Sequence, residues 1–160
     1  RHAAVSSLRL MWRMTWTGAR PASPGAITTR LGPGDVSALQ ALYNDGKSSG
    51  EAPDFFFPSM LADGVFHGIY EGTALVAAAG THLVAREEGA AAIGNVYTRH
   101  DRRGLGLARL TTSAVLGELA GVETMGLNVR AGNDAALHLY ESLGFVRHCQ
   151  FYEALASFSA

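Results

Sequence analysis

The sequence has little cysteine, little charge and no long apolar run, and each shortage excludes a class of protein. Cys149 is the only cysteine in 160 residues, so no internal disulfide forms, and no cluster of Cys and His has metal-site spacing. Charged residues make up 17% and the net charge is −1, which leaves no basic field for nucleic acid. The apolar runs fall short of the roughly 20 residues of a membrane span. We therefore expect a protein of a reducing, cytoplasmic compartment with no nucleic acid, membrane or metal partner.

The chain has enough apolar residues for one core, because 48% of its residues are hydrophobic and its length suits a single domain. Apolar and polar residues alternate from Leu8 to Trp16, which predicts a strand. A stretch rich in Pro and Gly from Gly18 to Gly25 follows and predicts a linker. We thus divide the chain into an N-terminal strand and linker over 1–26 and a main domain over 27–160. Since the chain starts at Arg1 rather than methionine, the first part is expected to be the remnant of a larger N-terminal region.

The rest of the pattern predicts a mixed sheet flanked by helices, an α/β (α+β) fold. Asp35 is a good N-cap for a short amphipathic helix. Three apolar runs separated by turn signals then predict an antiparallel meander. The predicted order is strand from Ile27, helix Val36 to Tyr43, strands from Val65, Ala74 and Ala90, helix Leu105 to Leu119, strand from Met125, helix Asp134 to Leu143, and strand Phe145 to Glu153.

The segment RGLGLA, Arg103 to Ala108, lies between the third strand of the meander and a helix. Small residues let backbone N–H groups approach a ligand, and a helix N-terminus favours negative charge, so this arrangement predicts a phosphate or pyrophosphate site. The alternative is a tight turn without a ligand. A Walker loop would need Lys and Ser or Thr after Gly106, and a dinucleotide fold would need glycine in place of Arg109, so both fit poorly.

Arg103, Gly106 and Ala108 resemble the acyl-CoA binding motif of the GCN5-related N-acetyltransferase (GNAT) superfamily, which has Arg or Gln, two residues, Gly, one residue, then Gly or Ala. The downstream segment LNVRAGNDAALHLYESLGF, Leu127 to Phe145, resembles the second half of that cofactor site. The similarity covers about Ile27 to Glu153. The segments AAAGTH, AAIGNVYT and FYE are most similar to the FR47-like branch.

The resemblance implies acetyl-CoA or CoA as cofactor and a mostly antiparallel sheet in which two central parallel strands splay apart. The gap would admit the pantetheine arm, and the pyrophosphate would lie over the glycine loop. Asn133 would contact the pantetheine arm or order water near it, and Tyr140 would sit near the sulfur. The cofactor residues implied in this way are Val96, Tyr97, Thr98, Arg103, Gly104, Leu105, Gly106, Leu107, Ala108, Arg109, Asn133 and Tyr140.

Tyr140 is also the candidate donor of a proton to the leaving thiolate, because seven residues separate it from Asn133, two turns along one helix face. A tyrosine that only packs on the cofactor is the alternative. Some members of the superfamily carry a glutamate base where this chain has Asn128, which cannot accept a proton usefully. His82, with an intrinsic pKa near 6.5, and Glu153 are the remaining candidate bases. A water chain could replace both, and His82 could instead be structural.

The leading functional hypothesis is transfer of an acetyl or short acyl group to a primary amine of a small molecule or peptide. The alternative is a non-catalytic CoA-binding module with a regulatory or structural role. The acceptor pocket is expected to come from Lys47 to Met60 and the end of the chain, and its aromatic residues hint at an apolar or small amino-acid-like acceptor. The strand from Leu8 to Trp16 could pair with a neighbouring chain, so a homodimer is a possible partner arrangement.

Overall fold

The computed structural model describes residues 3–18 and 27–158. Most of the predicted linker, Gly18 to Gly25, lies outside these residues. Within them the chain forms seven strands and four helices. In chain order they are β1 (Ala3–Trp16), β2 (Thr29–Arg30), α1 (Val36–Asn44), α2 (Met60–Asp63), β3 (His67–Glu71), β4 (Ala74–Ala85), β5 (Ala90–Thr98), α3 (Leu107–Glu118), β6 (Thr124–Arg130), α4 (Asp134–Ser142) and β7 (Phe145–Phe158).

The seven strands form one sheet in the order β2-β3-β4-β5-β6-β1-β7. Every pairing is antiparallel except that of β5 with β6. Helices lie against this mixed sheet, so the predicted fold class is confirmed. Among the described helices, none has the length and apolar character needed to cross a bilayer.

Strand β1 lies inside the sheet, where sequence reasoning set it apart from the rest. Over Met11–Thr15 it pairs with β6 on one side, and on the other side β7 runs along it. The predicted alternation is confirmed from Trp12 to Trp16, because Met14 is fully buried and Trp12 and Trp16 pack on the same core. It is wrong at the start of the strand, where Leu8 and Leu10 are exposed. The proposed route to a homodimer through this strand is wrong over the doubly paired stretch, since no backbone edge is free there. Division at residue 26 stays a prediction, although β1 shares the sheet of the main domain.

The helices cover the sheet from two sides. Ala78 packs in the core formed with α1 and α2, and its neighbour Ala79 packs in the core formed with α3 and α4. Neighbouring residues of a strand face opposite sides, so these two cores flank the sheet. Each fully buried Leu, such as Leu39 in α1 or Leu116 in α3, stabilises the fold by about 1.5 to 3 kcal/mol relative to an exposed one.

The parallel strands β5 and β6 separate after a short pairing. Their ladder joins Ala90–Ala92 to Thr124–Gly126 and then ends. Further along β5, Asn95 adopts a positive φ of 54°, and its carbonyl accepts a hydrogen bond of 2.7 Å from the Tyr43 hydroxyl. The β4 to β5 register shifts at this point, as a β-bulge requires. The bulge and the ended ladder together open the predicted gap between the central strands.

Candidate functional site

The gap between β5 and β6 is part of a single cleft of about 670 Å³. One end is formed by the end of β5, the glycine loop and the first turns of α3 and α4. The other end is formed by the loop before α2 and by the exposed faces of β4, β6, β1 and β7. We call these the cofactor end and the acceptor end. Eleven of the predicted cofactor residues line the cleft: Val96, Tyr97, Thr98, Arg103, Gly104, Gly106, Leu107, Ala108, Arg109, Asn133 and Tyr140.

The glycine loop at the cofactor end owes its shape to two left-handed residues. Gly104 and Gly106 have φ values of 78° and 75°, which side-chain-bearing residues adopt only with strain. The left-handed Gly106 is also the N-cap of α3, so the first N–H groups of this helix have no partner within it. Those groups and the helix dipole favour an anion. Leu105 alone among the predicted cofactor residues does not line the cleft, and 63% of its surface is exposed.

Arg103 at the rim of the glycine loop is held by an acid from another segment. Its guanidinium donates to both carboxylate oxygens of Glu51 at 3.0 and 3.3 Å, and lies 5.6 Å from the centre of the Tyr97 ring. The Arg103 hydrogen bond lowers the pKa of Glu51 to about 2. Both side chains are about two-fifths exposed, so this pair contributes little to the stability of the fold. An anionic ligand at Arg103 would compete with Glu51.

The end of β5 lines the cleft and has no partner strand on its β6 side. Val96 has no ladder partner on β4, and beyond Ala92 the strand has none on β6. The Thr98 hydroxyl oxygen is buried without a hydrogen-bond partner among the described residues. Tyr97 instead directs its hydroxyl to Asp45, 2.9 Å away, and burial is the main cause that raises its pKa to about 12. The backbone here is therefore available to an extended ligand.

Helix α4 contributes Asn133 and Tyr140. Asn133 is its N-cap, and the Asn133 side chain accepts the N–H of Ala136 at 3.1 Å, which leaves the amide NH₂ to donate elsewhere. Tyr140 is buried and packs edge-on to Phe145 with 5.9 Å between ring centres. Burial raises the pKa of Tyr140 to about 12. Its hydroxyl therefore stays protonated at neutral pH and has a proton to donate.

His82 lies at the acceptor end because of a second bulge. The β4 to β5 register shifts between Thr81 and Leu83, so His82 is the extra residue and its side chain is re-aimed. The ring lies directly over Gly94, where an added Cβ would come within 2.3 Å of it. Phe55 packs edge-on against the ring, with centres 5.3 Å apart. Removal from bulk water lowers the pKa of His82, against the smaller raising effects of Glu153 and Asn95, which favours the neutral, proton-accepting ring.

The other two residues discussed as bases also line the cleft. Asn128 lies on the exposed face of β6, and its side-chain oxygen accepts a hydrogen bond of 3.3 Å from Arg13. Glu153 lies opposite Arg9 in the β1 to β7 ladder, and its charge acts on His82. The structure thus brings His82 and Glu153 together.

The sequence did not predict two ion pairs of Asp54 with arginines or the contacts of His100 with two carboxylates. Asp54 forms ion pairs with Arg9 and, at 3.6 Å, with Arg130. His100 contacts the carboxylates of Asp45, at 3.0 Å, and Glu51, at 2.7 Å. The acids lie in or near the segment Lys47 to Met60 that was expected to form the acceptor pocket. The sequence shows the acids, but nothing local shows which arginine or histidine each one meets.

Comparison with known proteins identifies the family. The FR47-like protein family model matches residues 66–153, more than half of the chain. The mycothiol acetyltransferase of Tsukamurella paurometabola is 32% identical over 149 residues, which cover 80% of this chain and 51% of that protein. The chain thus spans about half the length of this curated relative.

Two solved structures show the same fold. A structure described as an acetyltransferase from the GNAT family of Novosphingobium aromaticivorans has a TM-score of 0.85 and 26% identity, and the match covers 99% of this chain and 68% of that one. The ribosomal-protein-S18-alanine N-acetyltransferase of Escherichia coli has a TM-score of 0.61 and 24% identity, covering 83% and 95%. The chain belongs to the FR47-like family of the GCN5-related N-acetyltransferase superfamily.

Proposed function

We propose that the chain transfers an acetyl or short acyl group from acetyl-CoA directly to a primary amine of a small molecule or peptide. The observation that carries this proposal is one cleft with an anion-binding backbone at one end, His82 at the other, and Tyr140 also in its wall. The relative named mycothiol acetyltransferase supports acetyl as the group that is moved.

The residues at the cofactor end fit acetyl-CoA. The first N–H groups of α3 suit its diphosphate, and the edge of β5 beyond Ala92, which has no partner on β6, suits amides that pair like an added strand. The buried Thr98 hydroxyl has no protein partner among the described residues, so a ligand that hydrogen-bonds to it would relieve the cost of its burial. Bound there, acetyl-CoA would supply a thioester carbonyl carbon as the electrophile.

In the proposed reaction, His82 accepts one proton and Tyr140 donates another. The amine enters as the neutral base, and the neutral His82 ring accepts the proton that its nitrogen loses as the new C–N bond forms. The Tyr140 hydroxyl gives its proton to the sulfur as the C–S bond breaks. The backbone N–H of Val96 is our candidate donor to the carbonyl oxygen, where negative charge develops. Asn128 accepts no proton in this scheme, so the scheme does not need the glutamate found in other members.

A non-catalytic CoA-binding module is the second candidate, favoured by the neutral Asn128 at a position where some members of the superfamily carry a glutamate base. Incubation of the chain with acetyl-CoA and a panel of amines, with free thiol measured over time, separates the two. Amine-dependent thiol release that His82→Gln slows supports the transferase. Tight CoA binding without release by any amine supports the module. A homodimer and a cytoplasmic location stay predictions.

A further inference from the structure

The structure assigns a carboxylate-bearing amine to the acceptor end, and we infer that its acidic group binds between Arg9 and Arg130 in the place where Asp54 now lies. The inference rests on the proposed acyl transfer to an amine. A free amino acid and the C-terminal residue of a short peptide share this chemistry.

Arg9 and Arg130 present their side chains on one face of the sheet. Met11 lies opposite Arg130 in the β1 to β6 ladder, and Arg9 is two residues before Met11, so Arg9 and Arg130 are diagonal neighbours. The Asp54 carboxylate contacts both guanidinium groups. The site therefore already holds a carboxylate, supplied by the chain itself.

Asp54 is a weak occupant of this site. Its side chain is 63% exposed and lies on the loop before α2, where Glu51 pairs with Arg103 in the same manner. Exposed ion pairs contribute little free energy, because solvent screens them and ordering the side chains costs entropy. A ligand carboxylate that forms paired hydrogen bonds with guanidinium groups can displace such an acid. Glu51 would yield Arg103 to the cofactor diphosphate, and Asp54 would yield Arg9 and Arg130 to the acceptor.

The arginine pair adjoins the proposed base. Phe55, the residue after Asp54, packs on the His82 ring with centres 5.3 Å apart. Glu153 is opposite Arg9 in the β1 to β7 ladder and acts electrostatically on His82. The acceptor end thus presents positive charge at Arg9 and Arg130 and negative charge at Glu153 beside the base. This order suits an ammonium group near His82 and a carboxylate near the arginines.

Asn128 strengthens the case for a carboxylate. It lies two residues before Arg130 on the same face of β6, and its side chain accepts from Arg13. A glutamate there would add a negative charge beside Arg130 and repel a ligand carboxylate. The neutral amide avoids that repulsion, so the residue that weakens one mechanism favours an acidic acceptor.

The test compares L-leucine and glycyl-L-leucine with L-leucinamide as acceptors, by thiol release from acetyl-CoA at saturating cofactor. We expect the acids to have the larger kcat/KM, even though leucinamide has the more readily deprotonated amine. A preference for leucine over the dipeptide indicates a free amino acid, and the reverse indicates a peptide. Equal use of acids and amide would overturn the inference while leaving acyl transfer intact.

Variants assign the effect to the arginines. Arg130→Gln should raise KM for the preferred acid by about 10- to 100-fold with a much smaller change for leucinamide. Asp54→Asn should lower KM for the acid, a gain that misfolding cannot produce. Arg86→Gln, in the exposed β4 to β5 turn, is the matched control and should behave like the parent. Equal effects of Arg130→Gln on acid and amide would contradict the inference.

A binding measurement decides the matter if no amine is acetylated, an outcome that would refute the proposed function itself. N-acetyl-L-leucine and N-acetyl-L-leucinamide would be titrated into the chain in the presence of CoA. The inference predicts binding of the acid, weakened by Arg130→Gln and strengthened by Asp54→Asn, and weaker binding of the amide. Failure of the acid to bind, or equal binding of acid and amide, would overturn it.

Discussion

The cofactor end of the cleft is formed mainly by one stretch of chain, whereas the acceptor end is formed by side chains from several elements. At the cofactor end, most of the groups come from one stretch of backbone, residues 96–109, with Asn133 and Tyr140 added by α4. At the acceptor end they are the side chains of Asp54, His82 and Arg130, which line the cleft, and of Arg9 on β1, which contacts Asp54. Backbone donors depend on local conformation and tolerate many side chains, whereas the acceptor end depends on four particular side chains. Under the proposed function, one end would bind the shared cofactor and the other a particular acceptor.

Filling the glycine loop should break the cofactor end alone. Gly106→Trp places a bulky ring where the diphosphate is expected, and we predict that affinity for acetyl-CoA falls at least about 100-fold while circular dichroism stays unchanged. Titration calorimetry measures this loss. Gly121→Trp is the control, since Gly121 also has positive φ in open space but does not line the cleft. Similar losses in both variants would show that backbone strain, not the site, is responsible.

Removing the proposed base should affect the acceptor end alone. His82→Gln should lower kcat about 100-fold with little change in CoA affinity, and His138→Gln on the exposed face of α4 should have no effect. Although His82 keeps an exposed surface, its partial removal from water lowers its pKa from the ordinary 6.5, so the neutral ring predominates at pH 7. The parent's kcat at saturating acceptor should therefore fall only as pH drops through a midpoint below 6.5. A profile that His82→Gln leaves unchanged would assign the base elsewhere.

Tyr140 tests whether α4 contributes chemistry or only packing. Tyr140→Phe keeps the ring against Phe145 and removes the proton donor, so we expect kcat to fall about 100-fold with CoA affinity unchanged. Steady-state kinetics and calorimetry on the same preparation measure both. The control is Tyr152→Phe on β7, where 67% of the tyrosine is exposed. An unaltered kcat would leave Tyr140 as a packing residue.

The smallest expected effect concerns Glu51, the acid that pairs with Arg103. Glu51→Gln removes the competitor for Arg103, and because exposed ion pairs are weak, CoA should bind only about two- to five-fold more tightly. Glu88→Gln in the exposed β4 to β5 turn is the control. Weaker binding in Glu51→Gln would mean that Glu51 positions Arg103 for the cofactor.

The features that could be predicted from the sequence are those encoded by neighbouring residues. The shape of the glycine loop could be predicted because its signals are local: residues 103–108 encode the turn, the helix start and the proposed anion site together. Strands β4 and β5 were also predicted correctly, since apolar runs and turn residues mark their ends. The place of β1 between β6 and β7 could not be predicted, because strand order depends on tertiary packing.

Local chemistry also misled in one case. Asp35 precedes α1 as predicted, but its carboxylate accepts from the Gly32 N–H and the Tyr70 hydroxyl and makes no hydrogen bond to cap α1. His82 could be named as a candidate, yet its direction depends on a bulge and on the bare backbone of Gly94. The ion pair of Asp54 with Arg9 could not be predicted, because it depends on where β1 lies in the sheet.

In the proposed mechanism, the backbone of residues 96–109 binds the acyl carrier, and separate side chains bind the acceptor. The most direct measurement is a titration of the ¹⁵N-labelled chain with CoA, followed by amide chemical shifts. We expect the largest shifts at Val96 to Thr98, Gly104 to Arg109 and the start of α4, with small shifts at Arg9 and Arg130. No shifts at the glycine loop at saturating CoA, or shifts centred on β1 and β7, would contradict it.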